Sequence, residues 1–163
     1  AKEFAARKFE KAGLKNHFLD VFSILQDEFS VGEENVLIAG LLHDTLEDTN
    51  TTAEEITQIF SREVADLVEE VSHPKNYNHE QRLEYYEKIK HISPGAKLIK
   101  MADFTSHLRN FIKIYEKGEQ NIYPKLANND KYIASIREFL NSYENLEGKR
   151  VVNDLADKLE SLL

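Results

Sequence analysis

The stretch Glu33-Glu34-Asn35-Val36-Leu37-Ile38-Ala39-Gly40-Leu41-Leu42-His43-Asp44-Thr45-Leu46 is apolar almost all round through its middle and runs straight into Glu47-Asp48. Its length and spacing predict a helix over Glu33–Leu46. A helix apolar on every side is one that is buried on every side, so this one is expected at the centre of the fold. Working outward, Gly32 separates it from a helix over His17–Phe29 with Val21, Phe22, Ile24 and Leu25 inward. Gly13 ends an earlier helix over Lys2–Lys11, with Phe4, Ala5, Lys8 and Phe9 near one face. On the other side, Asp48-Thr49-Asn50-Thr51 is turn chemistry, and Thr52 with Glu55 forms a capping-box pattern.

Helical periodicity continues over Ile56–Phe60, Val64–Val71 and His79–Ile89. Ser93-Pro94 reads as an N-cap followed by proline at the first helical position, opening a helix to Lys117 that Gly118 ends. Two more helices are predicted over Asp130–Tyr143 and Lys149–Leu163. Strand alternation and hairpin dipeptides are absent. The expected fold is all-α: a single-domain helical bundle over residues 1–163, without repeats or low-complexity segments.

Composition narrows the function classes. Of the 163 residues, 41% are hydrophobic and 31% charged, as in a globular protein. Asp+Glu outnumber Lys+Arg by 29 to 21, a formal charge of −8, which argues against nucleic acid or an anionic membrane as partner. There is no cysteine, so disulfides, thiolate–zinc sites and a cysteine nucleophile are excluded. Any metal must use histidine and carboxylates. No apolar run is long enough to span a membrane, and the first residues do not form a signal peptide. The cytoplasm is the expected location.

Three places carry chemistry. In His43-Asp44-Thr45-Leu46-Glu47-Asp48, three carboxylates and a histidine crowd the end of the apolar helix. Asp44 is three residues from Glu47 and four from Asp48, so they share a face of any continuing helix. The acids repel one another, and a helix C-terminus disfavours them, a conflict that a bound cation removes. The alternative is that Asp48 caps the next helix while the others face water. Asp103 lies in the mostly apolar Leu98-Ile99-Lys100-Met101-Ala102 run, one turn from Ile99 and His107, and needs a partner. That partner is either an ion or a basic residue such as Arg109 or a lysine. His17 opens a helix, where a histidine commonly caps. His73, His79 and His91 lie in polar surroundings and are expected on the surface.

The pattern His17…His43-Asp44…Asp103 resembles the HD superfamily of metal-dependent phosphohydrolases. The resemblance is nearer to the small alarmone hydrolases, single-domain relatives of the SpoT/RelA hydrolase domain. Four stretches carry it: Phe4–Lys8, Ala39–Thr52, Val68–Ser72 and Ser93–Asp103. It implies an HD-type bundle that hydrolyses the 3′-pyrophosphate of guanosine tetra- and pentaphosphate. It implies one Mn²⁺ per chain, with Fe²⁺ and Zn²⁺ as alternatives, held by His17, His43, Asp44 and Asp103. Glu47 and Asp48 match the acid pair that handles the attacking water. Arg7, Lys8, Arg109 and Tyr132 match substrate-side residues, and Ser72 and Lys75 the pocket lining. His107 stands where the family has Asn and is expected to reach a ribose or phosphate oxygen. The Lys8–His17 segment is shorter than the family's basic loop and offers Lys11 and Lys15 instead. The expected partner is thus a small-molecule nucleotide, with a homodimer allowed. Two other readings stand beside this one: an HD phosphohydrolase of another nucleotide, such as NADPH at its 2′-phosphate, and a catalytically silent nucleotide-binding regulator.

Overall fold

The computed structural model describes residues 1–13, 16–74, 78–120, 129–144 and 148–163, and every regular element among them is helical. Lys15 and Lys75 lie outside the described residues. In chain order the elements are α1 (Lys2–Lys11), α2 (His17–Ser23) running on into a π-helical turn (Ile24–Glu28), α3 (Glu34–Leu42) and the single-turn α4 (Thr45–Asp48). Then come α5 (Ala53–Ile59), α6 (Arg62–Val71), α7 (His79–Ile89), α8 (Pro94–Glu116), α9 (Asn129–Asn141) and α10 (Lys149–Glu160). The all-α expectation holds.

Local chemistry sets most boundaries. Ser93 Oγ accepts the Ala96 backbone N–H (3.3 Å) with Pro94 next in line, as the sequence suggests. Thr52 Oγ1 likewise accepts from Glu55 N (3.2 Å), but the capping box is only half made. The Glu55 carboxylate turns away to Lys8 Nζ on α1, 2.8 Å distant. Asn78 and Gln81 form a reciprocal capping box at the start of α7, which the sequence reading passed over.

The helix expected over Glu33–Leu46 is broken in two. Thr45 Oγ1 donates to Leu42 O (2.6 Å) and His43 Nδ1 faces Gly40 O (2.8 Å). These side chains take carbonyls of the last turn of α3, and Asp44 leaves helical geometry at φ −94°, ψ 0°. Asp44 thereby becomes the N-cap residue of α4 rather than a position along one long helix.

The long helix α8 shares the centre of the fold with α3. It packs against α2, α3, α6 and α10, and Ile99 to Thr105 are buried without interruption. Its apolar character is diluted by Lys100 and Asp103, which hid that role from a periodicity count. α3 packs between α2, α6 and α8. Gly40 packs against the π-helical turn, where a Cβ would push Leu25 Cδ1 aside. The helix expected over His17–Phe29 changes to a π turn at Ile24, with Phe29 N–H bonded to Ile24 O at 2.9 Å. Phe29 ends in the core, its ring against Gly148, whose φ of +72° and lack of Cβ both suit glycine. α10 stops at Glu160, three residues before the expected end. No described helix is long and apolar enough to cross a membrane.

Candidate metal centre

Three chain segments meet at Asp103. The first turn of α2 supplies His17, the α3–α4 break supplies His43 and Asp44, and the middle of α8 supplies Asp103. His17 Nε2 lies 3.0 Å from Asp103 Oδ1, His43 Nε2 3.8 Å from the same oxygen, and His43 Nε2 3.1 Å from Asp44 Oδ2. The His17 and His43 rings sit edge-on at 5.2 Å. The structure thus gathers the four residues of the His17…His43-Asp44…Asp103 pattern from across 86 positions of sequence.

The local folding orients these groups. Gly40 O can only accept, so His43 Nδ1 donates to it and Nε2 points inward. That Nε2 is buried, and the Asp44 carboxylate 3.1 Å away is out of line for a good hydrogen bond to it. The same break that ends α3 creates this arrangement. His17 Nδ1 meets Ser106 Oγ (3.1 Å), leaving its Nε2 to the cluster. A ligand imidazole held by its other nitrogen is the usual design of a metal site.

Two carboxylates and their cationic neighbours set the electrostatics of the cluster. Burial works against the His43 imidazolium, but Asp44 and, after it, Asp103 outweigh burial and push its pKa up to about 9. Burial equally opposes charge on Asp103, yet Lys100, then His107, hold it well below the usual carboxylate range. Lys100 Nζ lies 2.6 Å from Asp103 Oδ2, itself buried and facing the rings of Tyr85 and Phe104. Asp103 therefore has the lysine partner that the sequence offered as one alternative, and three imidazoles as well. His17, His43 and Asp44 bring one ligand atom each within 4.8 Å of one another, and so do His17, Asp103 and His107. A buried imidazole nitrogen among carboxylates fits a divalent ion bound by nitrogen and oxygen.

Glu47 and Asp48 follow on α4. Glu47 Oε1 accepts the backbone N–H of His73 (3.0 Å), and its Oε2 faces His73 Nε2 at 2.9 Å. His73 Nδ1 faces Pro74 O at 3.0 Å. Both ring nitrogens thus face oxygen atoms. Burial disfavours charge on the ring, but the Glu47 hydrogen bond prevails and raises the His73 pKa. The surface expectation for His73 is therefore corrected: it is half-buried, with Tyr85 edge-on at 5.1 Å. Nothing in its local sequence signals a carboxylate brought from 26 residues away. His91 is exposed as expected, and the His79 side chain lies outside the described residues.

The expected substrate-side residues separate. Lys8 is bonded to Glu55, and Arg7 is exposed beside it on α1, a helix packed against α3 and α4. The Tyr132 ring stands against Phe104 and Phe111, and burial, then the Asp103 charge, push its phenol well above its ordinary range. Ser72 Oγ donates to Val68 O (2.7 Å) and approaches His43 O (3.4 Å). Arg109 does not join the cluster. It forms a two-pronged pair with Glu28 (2.6 and 2.8 Å), because six residues on from Asp103 the helix has turned it toward the π-helical segment.

A family model described as "HD domain" matches residues 1–132. The chain is an HD-domain protein. Human guanosine-3′,5′-bis(diphosphate) 3′-pyrophosphohydrolase MESH1 is 39% identical over 127 residues, which span 72% of this chain and 71% of that protein. The Xenopus tropicalis protein of the same name is 40% identical over the same shares. The structure of a metazoan SpoT orthologue, described as hydrolysing ppGpp, superposes with a TM-score of 0.79 at 26% identity, covering 99% of this chain and 93% of that one. His43 and Asp44 stand together at the α3–α4 break, where the hydrogen bond to Gly40 O turns His43 Nε2 inward.

Proposed function

We propose that this HD domain hydrolyses the 3′-pyrophosphate of guanosine 3′,5′-bis(diphosphate) and of its pentaphosphate analogue, leaving the 5′-phosphates in place. The observation that carries the reading is the convergence of His17, His43, Asp44 and Asp103 around the buried His43 Nε2, with Glu47 and Asp48 on the adjoining turn. Likeness to MESH1 over more than two thirds of both chains supports the choice of substrate. Those four residues would hold a divalent ion, for which we take Mn²⁺, with Fe²⁺ and Zn²⁺ as alternatives. Such an ion supplies positive charge for phosphoryl oxygens and makes a nearby water more acidic.

The protein's own groups account for the remaining steps. The oxygen of a water molecule bonds to the phosphorus attached to the ribose 3′-oxygen, and that P–O bond breaks. One water proton passes to Glu47 or Asp48, and the protonated acid gives it to the leaving 3′-oxygen, which departs as an alcohol. His73 holds Glu47 at both oxygens, fixing the direction of its free lone pairs. Arg7 and Lys8 supply charge for the pyrophosphate, with Lys8 exchanging Glu55 for a phosphate oxygen. Tyr132 offers an aromatic face to the nucleotide, and Arg109 is left to Glu28.

The test is a panel of nucleotides incubated with the Mn²⁺-supplemented protein, read as pyrophosphate against phosphate released. Pyrophosphate from guanosine tetraphosphate is expected. Phosphate from NADPH alone would leave an HD phosphohydrolase of a different substrate. No turnover with any nucleotide, but tight binding of one, would favour the silent regulator.

A further inference from the structure

We propose that His107 is a ligand of the metal centre, which makes the ion's protein shell three imidazoles and two carboxylates. The inference rests on the divalent-ion reading of the same cluster and takes His107 out of the substrate-contact role.

The geometry centres on one oxygen. Asp103 Oδ1 has His17 Nε2 at 3.0 Å and His107 Nε2 at 3.1 Å. The ligand bonds of a first-row divalent ion are about 2.1 Å, so neighbouring ligand atoms at right angles lie about 3.0 Å apart. Both nitrogens therefore stand from Asp103 Oδ1 at the separation of adjacent ligands. One ring nitrogen each of His107 and His17 lie within 4.8 Å of each other and of an Asp103 oxygen, and His17 belongs also to the separate group with His43 and Asp44. The His17 and His107 rings are 4.6 Å apart.

The helix fixes this placement. Asp103 and His107 are one turn apart on α8, and the segment around Asp103 is buried on all sides. The other oxygen of Asp103 is taken by Lys100, so only Oδ1 is left to the cluster. Lys100 already brings a positive charge. A neutral imidazole completes the shell without adding charge of either sign.

A third nitrogen ligand changes which ion the site prefers. Imidazole donors favour Zn²⁺, Co²⁺ and Fe²⁺ over Mn²⁺ more than oxygen donors do. The site should therefore discriminate against Mn²⁺ more strongly than the same site with an amide at position 107.

Proton NMR of the Co²⁺-loaded full chain tests this, because each coordinated imidazole gives one strongly shifted exchangeable ring N–H signal. Three such signals are expected, and two in His107→Asn. Competition between Zn²⁺ and Mn²⁺ provides a second readout. The Zn²⁺ preference should fall about tenfold in His107→Asn and in His107→Gln alike. Two signals in the unaltered protein, or an unchanged Zn²⁺ preference in both variants, would overturn the proposal while leaving the four-ligand centre standing. A chain that binds no divalent ion would overturn both.

Discussion

Asp103 and Arg109 stand six residues apart on α8, and each meets opposite charge, yet the two pairs are built differently. Arg109 and Glu28 are half-exposed, and two parallel hydrogen bonds satisfy the groups that face each other. Asp103 is buried, with Lys100 on one oxygen and imidazoles crowding the other. Beside it His43 Nε2 is buried too. A surface pair is complete in itself and contributes about 0–1 kcal/mol. A buried cluster in which Asp44 and Asp103 oxygens stand 3.1 and 3.8 Å from His43 Nε2 can take a divalent ion between them. The contrast separates a structural ion pair from a binding site within two turns of one helix.

The largest effect that can break the comparison is expected from Asp103→Ala. It removes the common vertex of the cluster and strands Lys100 in the interior. Chemical unfolding of the metal-free chain should show a loss of about 3–5 kcal/mol, since one member of a buried pair is left uncompensated. Bound metal, counted by elemental analysis, should drop to background. A loss below 1 kcal/mol would make the Asp103 cluster energetically no different from the surface pair.

Next in size is Glu47→Gln. It keeps the ligands and the fold but removes a proton acceptor, so turnover should fall by about 10²–10⁴-fold with metal content unchanged. The same change removes the carboxylate charge that raises the His73 pKa, so that pKa, followed by NMR, should fall. Full activity in both Glu47→Gln and Asp48→Asn would take the water-handling role away from α4.

Much of this arrangement is legible in the sequence, and the unread part has physical causes. Ser93-Pro94, Thr52 and the glycines place helix ends because capping is local chemistry. Asp44 and Asp103 stand out because carboxylates beside apolar helical runs need partners, while His17 is picked out only by the resemblance to the HD pattern. The α3–α4 break is harder to see: it depends on hydrogen bonds from His43 and Thr45 to α3 carbonyls, while the apolar pattern continues through Leu46. The central place of α8 is masked by its buried charges. The His73–Glu47 and Arg109–Glu28 pairs join residues 26 and 81 positions apart, and no local signal announces either.

The smallest effect sharpens the other side of the comparison. Arg109→Gln should cost no more than about 1 kcal/mol and leave metal content and turnover intact. Its hydrogen bond to Glu28, helped by charge, lowers the Glu28 pKa against the opposing effect of burial. That stabilisation is full above the pKa of an unfolded-state glutamate and is lost as pH falls through the lower folded value. The stability gap between Arg109→Gln and the unaltered protein should therefore close in acid. A gap that widens in acid, or a loss of turnover, would return Arg109 to the site.

The central claim is that the Asp103 cluster is completed by a divalent ion. The most direct measurement is anomalous diffraction from crystals of this chain soaked in MnCl₂. The account predicts one strong manganese peak per chain within about 2.5 Å of His43 Nε2, with His17, Asp44 and Asp103 around it. A map with no peak at that nitrogen, or with manganese only at surface carboxylates, would contradict it.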